Sequence, residues 1–218
     1  MIDSFWNSHY KDFAVQEPSR FATYCINKYL NGNNLVVELG CGNGRDGFAL
    51  FKKTGRYVGV DSCPIAVKGL SQKLESVGKD VDSNLRVICA DFTKIDFENL
   101  STSNEKLYIY SRFSYHSIDY IHAEDLLRSL NNLKRPWMML MEVRTIYDEL
   151  YGEGTRLGLH EFQTDHYRRF IDPEKFILDN MKRFSFKYFE VARDFAPFKQ
   201  ENPIIMRTIF QSKESDFE

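Results

Sequence analysis

VVELGCGNGRD, residues 36–46, joins a β-branched run to three alternating glycines, Gly40, Gly42 and Gly44. The run reads as a strand over 34–40, and the segment 44–55 reads as a helix with Gly55 as its stop. Glycines in such a turn take positive φ and let a ligand approach the backbone, while the following helix offers free N–H groups. A glycine-rich turn that binds nothing is the other reading of the same residues.

The pattern repeats outward from this stretch. RYVGVD (56–61) reads as a second strand, and 64–78 as a helix opened by Pro64. Further strands are expected at 84–92, 106–111 and 137–143. Ala123, Leu126, Leu127, Leu130 and Leu133 fall at helical spacing between the last two. Strands alternating with helices give a parallel α/β sheet, and the apolar fifth strand, WMMLMEV, suits a sheet covered on both faces. After a helix capped by Asp172 and opened by Pro173, 184–193 and 203–211 read as an antiparallel terminal pair. Ser19 is placed to cap a helix that stops at Gly32. The polar segment 145–171 is long for a connection, as binding lids are. With no linker in sight, the chain is expected to be one domain, 1–218, with a helical cap over 1–33 and a substrate lid over 145–171.

Composition narrows the function. The 218 residues carry a formal charge of −2, which gives no field for drawing in nucleic acid. No apolar run approaches the roughly 20 residues of a membrane span, and the N-terminus lacks the layout of a signal peptide. Cys25, Cys41, Cys63 and Cys89 form no C-x-x-C pair and read as small buried residues of a reduced, cytoplasmic protein. SKESDFE, at the C-terminus, reads as a frayed acidic tail. Sequence offers no guide to oligomeric state.

Carboxylates accompany the glycines. Asp61 ends the second strand about 20 residues after the loop, where a ribose is held in such sheets. Asp91 ends the third strand beside Phe92, and Glu38 stands two residues before Gly40. ELGCGNG, followed by Asp61 and ADF (90–92), resembles the class I S-adenosylmethionine-dependent methyltransferase family over nearly the whole chain. A dinucleotide fingerprint would need its third glycine where Arg45 stands. The resemblance implies a Rossmann-like α/β fold with a seven-stranded, mostly parallel sheet, an antiparallel last strand, and helices on both faces. It implies S-adenosylmethionine as cofactor, S-adenosylhomocysteine as product, and Gly40, Gly42 and Gly44 along the methionine moiety. It further implies Asp61 at the ribose, Asp91 and Phe92 at the adenine, and Glu38, Ser62 and Ser111 in the same site, with Tyr10 and Trp6 either folded over the cofactor or holding the N-terminal helix to the domain. The acid that often opens the fourth strand is replaced by Glu105-Lys106.

In that fold the fourth strand ends beside the transferred methyl, so YIYSRFSYHSID (108–119) is expected to face the acceptor. His116 is the candidate general base for a hydroxyl acceptor, or a positioning group for an anionic one. Arg112 and Arg144, with His166, Arg168 and Arg169 from the lid, form the candidate catalytic and acceptor-binding set. Arg193, Lys199 and Arg207 add cations from the terminal strands. Guanidinium forks match phosphate and carboxylate, so the expected acceptor is a phosphate-bearing small molecule or glycan-linked group. The alternatives are a structural ion pair for Arg112 with a nearby acid, and one with Asp165 for either Arg168 or Arg169. YSRFSYHSI, EVRTIYDELYGEG and DHYRRFID also resemble methyltransferases encoded with bacterial capsule and O-antigen enzymes, which implies a phosphate or phosphoramidate acceptor in surface-polysaccharide synthesis.

Rival readings are a neutral-hydroxyl O-methyltransferase and a non-catalytic S-adenosylmethionine-binding subunit. Histidines spaced six apart, His116/His122 and His160/His166, match no zinc motif, so no metal is expected, although Asp119 or Glu142 leaves metal assistance open. The fourth strand lacks the N/D-P-P-Y turn of many amino-methyltransferases.

Overall fold

A computed structural model of the chain describes residues 2–11, 17–32, 34–77, 84–100, 105–198 and 200–213. Seven strands form one sheet in the order β3-β2-β1-β4-β5-β10-β9. The strands are β1 (Leu35–Leu39), β2 (Arg56–Asp61), β3 (Leu85–Cys89), β4 (Leu107–Arg112), β5 (Trp137–Arg144), β9 (Phe184–Ala192) and β10 (Ile205–Ser212). β1 runs parallel to β2, and β2 to β3. β10, last in sequence, is antiparallel to both β5 and β9 and lies between them. This is the mostly parallel Rossmann-like sheet expected of a methyltransferase. The chain divides into two compact units, Met1–Tyr110 and Ser111–Glu218.

In the first unit, β1 and β2 are apolar along nearly their whole length, and Val36, Val37, Val58 and Val60 are sealed from solvent. Four helices accompany them: α1 (Ile2–Lys11), α2 (Arg20–Lys28), α3 (Gly47–Thr54) and α4 (Pro64–Val77). Gly55 ends α3 with φ +74°, a left-handed stop that glycine adopts without a Cβ clash. Ser19 caps α2 through Ala22 N–H at 3.0 Å. α2 stops at Lys28 instead of continuing to Gly32, because the Tyr29 carbonyl turns to accept the Tyr108 hydroxyl at 2.8 Å. β3 ends at Cys89, short of the expected 92, because Asp91 begins a new turn over Phe92–Lys94. Cys25, Cys41 and Cys63 are buried, whereas Cys89 on the edge strand is exposed, contrary to expectation.

In the second unit, α5 (Tyr120–Asn131) buries Ala123, Leu126, Leu127 and Leu130, while Leu133 lies beyond its C-cap. Asp119 caps it through His122 N–H at 2.9 Å. α6 (Pro173–Asn180) has Asp172 as N-cap, as the sequence indicated. Trp137, Phe176, Phe184 and Phe210 pack edge-to-face or tilted at 5.2–6.0 Å around the far end of β5. Each such ring contributes roughly 1.5–3 kcal/mol by burial. The segment 145–171 is more ordered than a loop. It folds into a small antiparallel sheet of β6 (Thr155–Gly158), β7 (Glu161–Gln163) and β8 (Tyr167–Arg169). Gly78, residues 214–218 of the expected tail and Lys199 lie outside the described residues.

Candidate active site

The first unit builds a glycine cradle at the carboxyl ends of its strands. Pairing of Leu39 with Val60 and of Asp61 with Cys89 brings the ends of β1, β2 and β3 side by side. Gly40, Gly42 and Gly44 all have positive φ, at +68°, +52° and +79°. The Gly42 and Cys63 N–H groups each donate to one Asp61 oxygen at 2.8 Å. Burial pushes the Asp61 carboxyl up, and these two bonds partly offset it. Each oxygen retains acceptor capacity, which suits a sugar diol.

Tyr10 of α1 closes over the turn. A Cβ at Gly42 would sit 2.5 Å from its hydroxyl, so only glycine leaves room for the ring. Burial, and then the Asp61 charge, hold the Tyr10 phenol in its protonated form. Trp6 stacks on Tyr10 at 5.9 Å. Ser62 is exposed, and Asp91, also exposed, accepts from Thr93 N–H and hydroxyl with its Oδ1. Glu38 is buried and accepts the Tyr57 hydroxyl at 2.5 Å. The glycine cradle, a carboxylate with free lone pairs and an exposed acid two residues past β3 fit the methionine, ribose and adenine parts of S-adenosylmethionine.

One residue here was not singled out from sequence. Asp46, just before α3, accepts from Ser19 N–H at 2.7 Å, Ser19 Oγ at 2.8 Å and Tyr110 hydroxyl at 2.7 Å. It ties the start of α2 and the body of β4 to the glycine turn. Its only sequence signal is its place in GNGRD, because its partners are remote in the chain.

The second unit gathers the proposed acceptor residues. Phe113, just past β4, adopts φ +58°, a costly conformation for a bulky residue and one found at functional sites. Its ring lies 4.7 Å from the Arg112 guanidinium, 5.9 Å from that of Arg144 and 5.5 Å from the His116 ring. His116 is buried, and its Nδ1 accepts the Arg144 backbone N–H at 3.2 Å. In the neutral ring the proton therefore sits on Nε2, and no described group accepts from it. Burial, then the charges of Arg144, Arg168, His166 and Arg169, hold His116 well below the ordinary histidine range. Ser111 is fully buried, 2.8 Å from the Ser114 hydroxyl and accepting Tyr115 N–H.

Most of the arginines already have acids. Fully buried Glu142 accepts from Arg112 Nε at 3.1 Å and Arg207 Nε at 2.6 Å. Arg144 donates to both oxygens of Asp148 and also pairs with Glu201. Arg168 pairs with Asp165, and Arg193 with Glu149. The structural ion pairs that sequence left open for Arg112 and Arg168 are thus formed. Arg169 differs. It is buried, donates to the Ile118 and Tyr115 carbonyls at 2.9 and 3.1 Å, and has no carboxylate partner among the described residues. With the histidines neutral, Arg112, Arg144, Arg168, Arg169 and Arg207 exceed Glu142, Asp148, Asp165 and Glu201 by one positive charge.

Comparison with known proteins agrees with the cradle. Residues 36–136 match the family described as "Methyltransferase domain". No curated protein matches the sequence. Among solved structures, a SAM-dependent methyltransferase of Anabaena variabilis is similar, with TM-score 0.66 and 15% identity, covering 97% of this chain and 93% of that one. One from Clostridium acetobutylicum gives 0.63 and 15%, covering 93% of each. The CcbJ methyltransferase of Streptomyces caelestis gives 0.64 and 14%, covering 97% of each. At these identities the likeness is one of fold.

Proposed function

We infer that the chain is an S-adenosylmethionine-dependent methyltransferase of the cytoplasm whose acceptor is a small anionic group, of the phosphate or phosphoramidate kind. The sequence likeness to the capsule and O-antigen group supports a surface-polysaccharide precursor as the molecule that carries it. The observation that carries the anionic reading is the state of His116. A neutral hydroxyl acceptor must lose a proton, and His116 is poorly suited to take it. Its Nδ1 is engaged by a backbone N–H, its Nε2 already bears a proton, and an imidazolium there would be buried among cations. An acceptor that arrives as an anion needs no base and gains a donor in Nε2–H.

S-adenosylmethionine supplies an electrophilic methyl on a sulfonium. The protein's part is to align the acceptor with that methyl and to hold its charge without quenching its nucleophilicity. Arg169, lacking a carboxylate, and the terminal nitrogens of Arg112, which make no described hydrogen bond, are the cations available for this. An anionic acceptor would give an electron pair to the methyl carbon as the methyl–sulfur bond breaks and its pair stays on sulfur, so one negative and one positive charge are neutralised together and no proton has to move.

The test is S-adenosylhomocysteine release with sugar phosphates, nucleotide-linked phosphates and phosphoramidates against neutral sugars and phenols. Turnover confined to the anionic half is expected. Arg169→Lys should raise the acceptor KM by about tenfold or more, the loss of charge-assisted bonds, with S-adenosylmethionine affinity unchanged. Turnover on neutral hydroxyls alone refutes the anionic acceptor. Cofactor binding without turnover on any acceptor would support a non-catalytic subunit.

A further inference from the structure

We propose that Glu201 is an acceptor-specificity residue: a carboxylate of the chain itself that occupies the edge of Arg144 which the acceptor's anionic group takes. This rests on the anionic reading above and goes beyond it by naming the group the acceptor displaces.

The two acids on Arg144 are unlike. Asp148 meets Nη1 with both oxygens, at 3.0 and 3.1 Å, and its side chain is 1% exposed. That pair is part of the fold. Glu201 takes the other terminal nitrogen, Nη2, with a side chain that is 52% exposed. A carboxylate so exposed regains its hydration when it lets go, so its release costs little. The edge it covers belongs to the residue whose backbone N–H fixes His116 and whose guanidinium lies 5.9 Å from the Phe113 ring.

The segment between β9 and β10 is built to present this carboxylate. Phe198 and Glu201 exchange backbone hydrogen bonds at 2.9 Å in both directions. Asn202 and Asp194 pair through side chain and backbone at 2.8 and 2.9 Å. Arg207 anchors the base, donating to the Phe195 carbonyl at 3.1 Å with its guanidinium 4.1 Å from that ring. Arg207 also shares Glu142 with Arg112. The framework that carries Glu201 is therefore the one that orients Arg112 across Phe113. An anion with two or three oxygens can replace the single carboxylate bond and reach other donors as well, whereas a neutral hydroxyl has no charge with which to compete. Glu201 thus penalises neutral acceptors and weak anions.

The probe is phenyl phosphate, titrated by calorimetry into protein saturated with S-adenosylhomocysteine. Glu201→Gln should bind it about two- to fivefold more tightly than wild type, the scale of an exposed ion pair, and Arg144→Gln more weakly. With an anionic substrate from the panel, Glu201→Gln should lower KM in the same ratio and leave kcat unchanged. Equal affinity in wild type and Glu201→Gln, or no binding by either, overturns the proposal. If anionic acceptors turn over but Glu201→Gln leaves KM unmoved, only the role of Glu201 fails. If wild type uses neutral acceptors alone, the anionic reading fails with it.

Discussion

His166 gives the sharpest quantitative prediction. Burial first, and then the Arg168 charge, lower its imidazole from 6.5 to about 4, although Asp165 pulls the other way with Oδ1 3.1 Å from Nδ1. Because the folded value lies below the unfolded one, the unfolded chain takes up the proton first. The contribution is whole above pH 6.5 and drains away as the pH falls toward 4. For these two values the difference in proton binding amounts to about 2 kcal/mol of lost stability between pH 7 and pH 5. Asp165 is also held low, but its window lies below its ordinary value of 3.8, so it hardly contributes over this range. His116 is lowered too and adds a loss of the same sign. The comparison must therefore be between wild type and His166→Gln, with His116 retained in both. Urea unfolding followed by tryptophan fluorescence at the two pH values should show wild type losing about 2 kcal/mol more than the variant. Equal losses in the two proteins would refute the reasoning, because they would mean that His166 is not held neutral by its surroundings.

Two other substitutions test the frame of each unit. Gly42→Ala places a methyl 2.5 Å from the Tyr10 hydroxyl at φ +52°; it should weaken S-adenosylmethionine by about tenfold, one close contact's worth, and an unchanged calorimetric Kd would remove this turn from the cofactor site. Glu142→Gln strips the shared charge from two guanidiniums and should destabilise the protein by about 3–5 kcal/mol, read from urea midpoints. Adding Arg207→Met to it should recover part of that loss, and additive losses in the double variant would argue against a shared charge.

The sheet was legible because each strand announces itself locally. RYVGVD stops at the predicted residue, and the glycines of GCGNG take the positive φ that their spacing demanded. What sequence missed was set by partners far along the chain. α2 ends early because Tyr108, remote in sequence, claims the Tyr29 carbonyl. β6, β7 and β8 went unread because TRLG, EFQ and YRR are too short and too polar to show a period of two. Cys89 is exposed because β3 is an edge, which a strand's own residues do not reveal.

The arginines show the same limit in the currency of charge. Sequence counts cations near 112, 144, 168 and 207 and suggests an anion site, while leaving open which of them are held in ion pairs. The fold spends nearly all of them on Glu142, Asp148, Asp165 and Glu201. Glu142 stood in MEVR only as an acid that a metal might use, yet it proves to be the hub that fixes two arginines at once. On the proposed reading, what an acceptor would meet is a small surplus, on Arg169 and on the outer edges of Arg112 and Arg144. An anionic nucleophile, if the proposed function holds, needs that restraint. A fully exposed arginine cluster would bind the acceptor tightly and, by the same interaction, withdraw the electron density that must attack the methyl carbon. Buried acids behind the guanidiniums moderate their pull while leaving their positions fixed.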